Sequence, residues 1–516
     1  MKARQPLNWA LWSLGALTLM TATHVTAASL RFEVTLQPGL LKGPQDGRLF
    51  VILSEKNTPE PRLMLGRNGP DAPEALAVDL KALAAGRPVV LDEAAFAYPQ
   101  TNLATLPAGD YFVQALFDWN PDLRLAGAPG NLFSSPLKTH LNPAEGGVVK
   151  LELTQQIPAE TLPPDSDQIK FVRLQSKLLS DFHHRPIYLR AGIVLPHDYT
   201  NSPTRRYPLW IQIGGFGDRF TSVRQLIGGG FRGFRTVWQA EDTPRFLLLQ
   251  LDGAGPLGDP YYVNSANNGP YGDALVKELI PYVEEKFRGI GQPRARVLSG
   301  TSTGGWVSLA LQIFYPDFFN GTWSSCPDPV DFRAFELVNI YSDDIAYVNR
   351  QGNERPSERD LKGDVVLTMR REVGIENLLG RGNSYTASGQ QWGSWDAVYS
   401  PPGSDGLPAP IWDPLTGKID HAVAEQWKKY DLRLIVEENW KTLGPKLRGK
   451  LHIASGEADQ YFLNNAMHLL NDFLMHADPP FEGKIVFGPG KGHGWMYEGL
   501  REMLGEMQSA TEHVAP

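Results

Sequence analysis

Cysteine is almost absent from the sequence: Cys326 is the single cysteine among 516 residues. One cysteine excludes an internal disulfide, so the fold must draw its stability from its core. It also excludes a zinc site built from several cysteines. Cys326 lies in a Ser-Ser-Cys-Pro stretch without a recognisable base beside it, which favours a buried structural thiol over a nucleophile.

Long hydrophobic runs are also lacking. The apolar run Trp9–Met20 spans 12 residues, whereas a helix that crosses a bilayer needs about 20. Lys2 and Arg4 precede this run and the small residues Val25-Thr26-Ala27 follow it, an order typical of a signal peptide. We therefore predict a signal peptide over residues 1–27, no stable membrane span, and export to the periplasm or the extracellular space. A short membrane anchor is the alternative.

The sequence also has no excess of positive charge. The formal net charge is −8, from 49 Lys and Arg against 57 Asp and Glu. A mildly acidic surface repels phosphate backbones, which excludes nucleic acid as a partner. The sequence also lacks the P-loop Lys-Ser/Thr pair, the full dinucleotide-binding spacing and a His-Glu-x-x-His motif. We therefore expect neither a cofactor nor a catalytic metal.

Residues 29–155 have the pattern of a small all-β domain. Apolar and polar residues alternate in 30–36, in 111–119 and again in 149–153, as half-buried strands require. Glycines and prolines separate these runs, which predicts a β-sandwich-like domain. Residues 156–168, a stretch with several prolines and aspartates, are interpreted as a linker.

Residues 169–510 have a different character. Short apolar runs alternate with helix-like segments such as Asp273–Phe287, whose apolar residues share one face. This alternation predicts an α/β fold with a mostly parallel sheet covered by helices on both sides. Residues 332–447 fit the alternation poorly and are interpreted as an insertion. The predicted strands are Ile187–Leu195, Pro208–Ile213, Phe246–Leu251, Ala295–Leu298, Leu451–Ala454 and Lys484–Phe487.

A candidate nucleophile, Ser302, lies in a Gly-x-Ser-x-Gly motif that runs from Gly300 to Gly304. An apolar strand precedes the motif and a helix-forming stretch, Trp306–Gln312, follows it. This context is typical of the nucleophile elbow of an α/β-hydrolase. The turn is so tight that a side chain at either glycine would collide with neighbouring backbone. Ser302 is thereby predicted to stand above the sheet edge, at the positive end of a helix.

A serine hydroxyl needs a base, and His493 is the best candidate among the 11 histidines. In α/β-hydrolases the order along the chain is nucleophile, acid, base, which excludes the histidines before Ser302. His493 lies in a glycine-rich loop directly after the predicted strand Lys484–Phe487. His452 lies inside a strand and His468 in a helical segment, so structural roles are predicted for these two.

The acid that orients this base is predicted to be Asp459. It follows the strand Leu451–Ala454 and precedes His493 in the chain. Its role would be to hold the imidazole in one tautomer and to stabilise the imidazolium. Glu457, in the same loop, is the alternative, because spacing alone does not fix the geometry of a loop.

The oxyanion of the tetrahedral intermediate needs amide donors. One predicted donor is the backbone amide of Thr303, which directly follows the nucleophile. The other lies in the loop Gly214-Gly215-Phe216-Gly217-Asp218, with the backbone of Phe216 as the predicted donor. Glycines on both sides allow this backbone to approach a reacting carbonyl closely.

With these residues in place, the chain resembles the putative esterase family of α/β-hydrolases, related to esterase D, enterochelin esterases and feruloyl esterases. The likeness is carried by Ile213–Asp218, Gly269–Tyr271, Glu278–Val283, the elbow Gly300–Gly305 and Gly492-His493-Gly494-Trp495. The resemblance implies a serine carboxylesterase that acts without metal or cofactor on a small-molecule or carbohydrate-linked ester. Acyl transfer to another alcohol would use the same residues.

Two features depart from the family pattern. The first loop has Ile213-Gly214 where relatives often carry His-Gly, and Ser302 and Asp459 are 157 residues apart, which is long for the family. The added length is expected to influence substrate choice. It includes four crowded aromatic residues, which predict either a lid or aromatic substrate wall, or a subdomain packed on its own aromatics. These residues are Trp392, Trp395, Tyr399 and Trp412.

Two other function classes compete with the esterase. A prolyl-oligopeptidase-type peptidase has the same triad order, but the N-terminal β domain, roughly 125 residues long, is too short for its propeller. A hydrolase scaffold can also serve as a non-catalytic binding protein. The presence of Ser302, Asp459 and His493 together argues against that alternative.

Overall fold

The computed structural model describes residues 29–67, 72–124, 126–230 and 233–512. The signal peptide predicted over residues 1–27 lies outside these ranges. Within them, no helix combines the length and the apolar composition that a membrane crossing requires.

The N-terminal β-region, residues 30–156, consists of strands β1 (Leu30–Leu36), β2 (Gln45–Ser54), β3 (Glu74–Leu83), β4 (Val89–Leu91), β5 (Phe96–Tyr98), β6 (Gly109–Asp118), β7 (Leu132–Phe133), β8 (Leu137–Leu141), β9 (Gly147–Leu153) and β10 (Gln155–Gln156). The strands form two sheets. The smaller has the order β4-β1-β9, and the larger has the order β10-β7-β6-β2-β3-β5, with β8 paired to β6.

The alternation of apolar and polar residues explains how these two sheets pack. Leu30, Phe32 and Val34 of β1 lie on one face of the strand and are buried. They share a hydrophobic core with Val51 of β2 and Val113 of β6, from the larger sheet. The all-β arrangement predicted for the N-terminal part is therefore confirmed.

A second set of strands follows: β11 (Ile169–Ser176), β12 (Ile187–Val194), β13 (Leu209–Ile213), β14 (Leu247–Leu251), β15 (Asn264–Ser265), β16 (Gly269–Pro270), β17 (Arg296–Thr301), β18 (Thr322–Ser325), β19 (Pro356–Arg359), β20 (Val365–Thr368), β21 (Leu451–Gly456) and β22 (Lys484–Gly488). One sheet has the order β11-β12-β14-β13-β17-β18-β21-β22. In it, β12 runs antiparallel to β11 and β14, and the other neighbours run parallel. The hairpins β15–β16 and β19–β20 stand apart.

Helices cover both faces of this sheet. Trp210 of β13 belongs to the hydrophobic core on one face and the adjacent Ile211 to the core on the other. This strand order with helices on both sides is the α/β-hydrolase fold, as predicted. The helices are α1 (Lys177–His183), α2 (Val223–Gly228), α3 (Phe234–Gln239), α4 (Tyr271–Ala274), α5 (Ile280–Lys286), α6 (Thr303–Phe314), α7 (Met369–Leu379), α8 (Gln391–Tyr399), α9 (His421–Trp427), α10 (Leu432–Leu447), α11 (Asn464–Met475) and α12 (Leu500–Glu512).

The helix predicted over Asp273–Phe287 is observed as α4 and α5, joined by a π-helical turn, Leu275–Leu279. The apolar residues of its predicted face, including Leu275 and Leu279, are fully buried. The periodicity in the sequence therefore identified the buried face correctly, although it gave no sign of the π turn.

The β18–β21 connection, residues 326–450, joins two neighbouring parallel strands and carries β19, β20 and α7 to α10. Its last helix, α10, packs against α6. Its first helix, α7, contacts the N-terminal β-region: Tyr98 Oη donates a hydrogen bond of 2.6 Å to the carbonyl oxygen of Arg371. Arg48 Nε donates one of 2.9 Å to the carbonyl oxygen of Leu378. The segment predicted as an insertion thus lies between the hydrolase sheet and the β-region.

Candidate active site

Ser302 occupies a sharp turn between the end of β17 and the start of α6. Its backbone has φ of 61° and ψ of −126°, a conformation that side-chain-bearing residues rarely adopt. A side chain at Gly300 would collide with the carbonyl of Gly304, and one at Gly304 would collide with the carbonyl of Ile213. The steric reason predicted for the two glycines of the motif is therefore confirmed.

Asp459 and His493 are brought together by the loops that follow β21 and β22. Asp459 is fully buried, and its Oδ2 lies 2.9 Å from His493 Nδ1. Its other oxygen, Oδ1, accepts a hydrogen bond of 2.9 Å from the amide of Tyr461. The backbone amide of His493 donates to Gln460 Oε1 at 2.6 Å. These contacts fix the imidazole and occupy its Nδ1, which leaves Nε2 to exchange a proton.

Glu457, the alternative acid, contacts a different histidine. Its Oε2 lies 3.0 Å from His468 Nε2, on α11. The structure therefore places Asp459, and not Glu457, against His493. His452, in β21, stacks on Trp323 with ring centroids 4.4 Å apart, as expected of a structural histidine.

Ser302 and His493 line the same cavity, which has a volume of about 310 Å³. Among the described residues, no hydrogen bond joins Ser302 Oγ to His493; the hydroxyl instead donates a hydrogen bond of 3.4 Å to Asp328 Oδ1. Catalytic hydrogen bonds are often long without substrate and shorten when substrate binds. The arrangement therefore presents a hydroxyl and an imidazole to the same cavity.

Asp328 is a site residue that the sequence analysis missed. It is buried and lines the cavity, and its Oδ2 accepts hydrogen bonds from Tyr261 Oη at 2.6 Å and Thr303 Oγ1 at 3.0 Å. Gln391 Nε2 and Trp395 Nε1 lie 3.2 and 3.3 Å from the same oxygen. Burial raises the pKa of Asp328, and these hydrogen bonds oppose the effect. The available signal was an acid placed directly after a buried strand, but β18 itself was not predicted.

The two predicted oxyanion donors lie beside the nucleophile. A Cβ atom on Gly215 would lie 3.8 Å from Ser302 Cβ, and the next residue, Phe216, lines the cavity. Thr303 is the first residue of α6, where the amide has no acceptor within the helix. Both backbone segments can therefore present amides to a group bound at Ser302.

Cys326 is buried, as predicted. The expectation that no base lies near Cys326 is wrong, because the fold brings His493 and Asp459 to it. One side-chain sulfur, oxygen or nitrogen atom of each of the three residues lies within 4.8 Å of the other two. Burial, with the charge of Asp459, raises the pKa of the thiol. This group could hold a metal ion only if His493 gave up its hydrogen bond to Asp459 or turned its other ring nitrogen inward.

A second feature missed from the sequence is an acidic wall, which we define as Glu336, Glu372 and Glu376. All three line the cavity beside Ser302. Glu376 is buried and accepts hydrogen bonds from the amide of Trp392 at 3.0 Å, the amide of Gly393 at 2.9 Å and Ser388 Oγ at 2.8 Å. Burial, with the repulsion of Glu372, raises the pKa of Glu376 to about 8. Glu372 and Glu376 share α7, whereas Glu336 lies 36 residues earlier in the β18–β21 connection, so no local motif places the three together.

The four aromatic residues of that connection divide between the two predicted roles. Trp395 lines the cavity. Trp392 contacts Trp395 and Trp412 edge-to-face, with ring centroids 4.7 and 5.1 Å apart, and Tyr399 packs on Trp306 of α6 at 5.2 Å. The cluster is thus a continuation of the hydrolase core, and one of its members forms part of the cavity wall.

Comparison with known sequences identifies the family. The sequence profile of the family described as Putative esterase matches residues 189–475, more than half of the chain. The chain belongs to this family. The esterase is accordingly a serine carboxylic ester hydrolase, as predicted. The matched range includes Ser302 and Asp459 and ends before His493.

Several solved structures are similar to this esterase at low identity. A ferulic acid esterase is 15% identical with a TM-score of 0.40, over 66% of this chain and 99% of its own. An S-formylglutathione hydrolase from Agrobacterium tumefaciens is 12% identical with a TM-score of 0.37, over 67% of this chain and 94% of its own. Dipeptidyl peptidase 4 of Porphyromonas gingivalis is 12% identical with a TM-score of 0.35, over 85% of this chain and 45% of its own. None of the curated proteins compared with the chain matches it significantly.

Proposed function

We propose that this esterase cleaves its substrate through an acyl-enzyme intermediate, with Ser302 as nucleophile, His493 as base and Asp459 as the orienting acid. The observation that carries the proposal is the hydrogen bond of 2.9 Å between His493 Nδ1 and the buried Asp459, in a loop that borders the same cavity as Ser302. A carboxylate on one ring nitrogen fixes the tautomer in which the other nitrogen accepts a proton.

The reaction has two halves. In the first, His493 Nε2 takes the proton from Ser302 Oγ as the oxygen attacks the ester carbonyl carbon. The imidazolium, stabilised by Asp459, then donates that proton to the leaving alcohol oxygen as the carbon–oxygen bond breaks. In the second half, water attacks the acyl-serine, His493 takes the proton of the water, and the acid product leaves as Ser302 regains its proton.

The negative charge of each tetrahedral intermediate is assigned to the backbone amides of Phe216 and Thr303. The Thr303 amide lies at the N-terminus of α6, where the partial positive charge of the helix adds to the hydrogen bond. The loop of Phe216 approaches Ser302 through Gly215, whose lack of a side chain leaves room for a substrate carbonyl.

The substrate is proposed to be a small-molecule ester encountered outside the cytoplasm. A cavity of about 310 Å³ suits part of a small molecule, and the start of the sequence supports export. We expect the mature protein to begin at Ala28 or Ser29. N-terminal sequencing of the exported protein checks this expectation, and an intact Met1 in a membrane fraction would contradict it.

Fluorophosphonate labelling tests the assignment of the nucleophile. The reagent should modify Ser302, identified by mass spectrometry of the labelled peptide, and should leave the Ser302→Ala protein unlabelled. Hydrolysis of activated acetyl, butyryl and feruloyl esters should be lost in parallel with labelling. A folded Ser302→Ala protein with near-normal turnover would overturn the mechanism. Peptide cleavage, or ester product formed with an added alcohol, would instead assign the same triad to a peptidase or an acyltransferase.

A further inference from the structure

The cavity beside Ser302 is lined by several carboxyl groups, and no lysine or arginine is among its lining residues in the described part of the chain. Asp328 and the acidic wall place four carboxyl groups on its surface. Burial raises the pKa of Glu336 and of Glu372, and among the described residues no lysine or arginine offsets that rise, so a bound cation would favour the ionised form of both carboxyls. Glu284 shows the contrast, because Arg296 holds both of its oxygens at 2.8 Å. Glu336 and Glu372 have no such partner among the described residues.

Glu336 is the residue that points to a ligand. It is 4% exposed and lines the cavity, yet its Oε2 has no hydrogen-bond partner among the described residues. Leaving a buried polar group unpaired is costly, and native proteins do so rarely. Its backbone also has a φ of 54°, which is unfavourable for a residue with a side chain. A group supplied by a bound molecule would satisfy this carboxyl.

We propose that the acidic wall binds a protonated amine or guanidinium group of the substrate, so that this esterase acts on esters whose acyl or alcohol part is cationic. The proposal rests on the proposed function of Ser302, because it places the cationic group in the same cavity as the scissile ester. An ammonium group donates up to three hydrogen bonds, and bonds between charged partners are the strongest that side chains make. Trp395 and Tyr461 line the same cavity and can present aromatic faces to the cation.

An organic cation fits the wall better than a metal ion. Among the described residues, the one group of side chains close enough to ligate an ion is Cys326, Asp459 and His493, and it includes no member of the wall. The wall carboxyls are thus too far apart for a common metal centre, whereas an amine on a flexible chain can contact one carboxylate and remain near the others. A carboxylate-bearing substrate would meet no lysine or arginine among the described residues that line the cavity.

Calorimetric titration of the full-length Ser302→Ala protein tests the site without any turnover. The probes are the n-hexylammonium ion and 1-hexanol, which have the same chain length and differ in charge. Hexylammonium should bind at least about tenfold more tightly than hexanol. Glu336→Gln should reduce this ratio to about twofold, and Glu372→Gln should also lower it. Glu354→Gln is the matched control, since Glu354 pairs with Arg370 on the surface, and should keep the ratio of the parent.

The same probe must act at the catalytic cavity. With active enzyme, hexylammonium should inhibit hydrolysis of a neutral activated ester competitively. Equal dissociation constants for the two probes, a preference that survives in both Glu336→Gln and Glu372→Gln, or non-competitive inhibition would each overturn the proposal. Because titration does not depend on hydrolysis, failure of the amine site and failure of the triad give different results. Circular dichroism confirms that each variant is folded.

Discussion

At the scale of single residues, two carboxylate–histidine pairs lie close together in the sequence, and they make matched test cases. Asp459 pairs with His493, and Glu457 pairs with His468, at 2.9 and 3.0 Å. His493 lines the same cavity as Ser302, and His468 does not. Substitutions that are chemically identical should therefore have very different effects on turnover.

Ser302→Ala and His493→Ala should each lower kcat by about three orders of magnitude or more, and the double variant should be little worse than either. Asp459→Asn should cost somewhat less, because the imidazole remains but its tautomer is no longer enforced. Steady-state kinetics on a small activated ester measures each change. Glu457→Gln and His468→Ala should stay within about twofold of the parent. A severe loss in Glu457→Gln with a silent Asp459→Asn would reverse the assignment of the acid.

Two members of the acidic wall should respond oppositely to removal of their carboxyl groups. Glu336→Leu removes a buried carboxyl whose Oε2 has no hydrogen-bond partner among the described residues, so it should raise the free energy of unfolding by about 1–3 kcal/mol. Glu376→Leu leaves two amides and a hydroxyl without their acceptor, so it should lower the same quantity by at least about 2 kcal/mol. Urea unfolding measures both. A destabilised Glu336→Leu protein would mean that this carboxyl has a structural partner.

At the scale of elements, the contact of α7 with the N-terminal β-region depends on a glycine. Gly374 lies in the middle of α7, and a side chain there would collide with the ring of Tyr98 in β5. That ring cannot move freely, because its hydroxyl is bonded to the carbonyl of Arg371. Gly374→Ala should therefore separate the helix from the sheet and lower the free energy of unfolding by about 1–3 kcal/mol.

The control for that variant is Gly505→Ala in α12, where a new methyl group would meet open space. Alanine is the better helix former, so this change should raise stability by about 0.5–1 kcal/mol. Thermal and urea unfolding of both variants give the comparison. If Gly374→Ala were equally stabilising, α7 would not be held closely against the β-region.

The sequence predicted those strands and helices whose own residues have a clear apolar pattern. Buried strands such as β14, which is apolar at four of five positions, were found. β18 was missed because three of its four residues, Thr322, Ser324 and Ser325, are buried although they are polar. The residues of the triad follow predicted strands, but Asp328 and Glu336 enter the cavity only through the path of a long connection. That path is determined by packing against α6 and the β-region, which no local pattern encodes.

At the scale of the whole molecule, several carboxyl groups are buried deeply enough to hold protons near neutral pH. Burial raises the pKa of Glu376 and of Asp396 to about 8, and that of Asp259 to about 7. The same groups in the unfolded chain have pKa values of about 4. Between about pH 4 and pH 8 the folded protein therefore keeps protons on these carboxyls that the unfolded chain has released. The stability that the protonated carboxyls contribute is complete below about pH 4 and is lost as the pH rises toward 8.

The free energy of unfolding should therefore fall between pH 6.5 and pH 8, by up to about 1.4 kcal/mol per pH unit for each proton held. Asp396→Asn, which keeps an acceptor for Ser400 and the amide of Ile411, should make the decline shallower by about one proton. Urea unfolding across this pH range measures the slope. A slope of zero in the parent protein would mean that these carboxyls are ionised in the folded state.

The hydrogen bonds from Arg48 and Tyr98 to α7 have a consequence for how such enzymes diversify. The β-region supports the helix that carries two of the three wall carboxyls, Glu372 and Glu376, while the triad belongs to the hydrolase sheet. Recombination that replaced the β18–β21 connection alone would place a foreign helix against an unmatched partner. The N-terminal β-region and the β18–β21 connection should therefore be inherited together. Chimeras between relatives should fold and hydrolyse esters when both are exchanged at once.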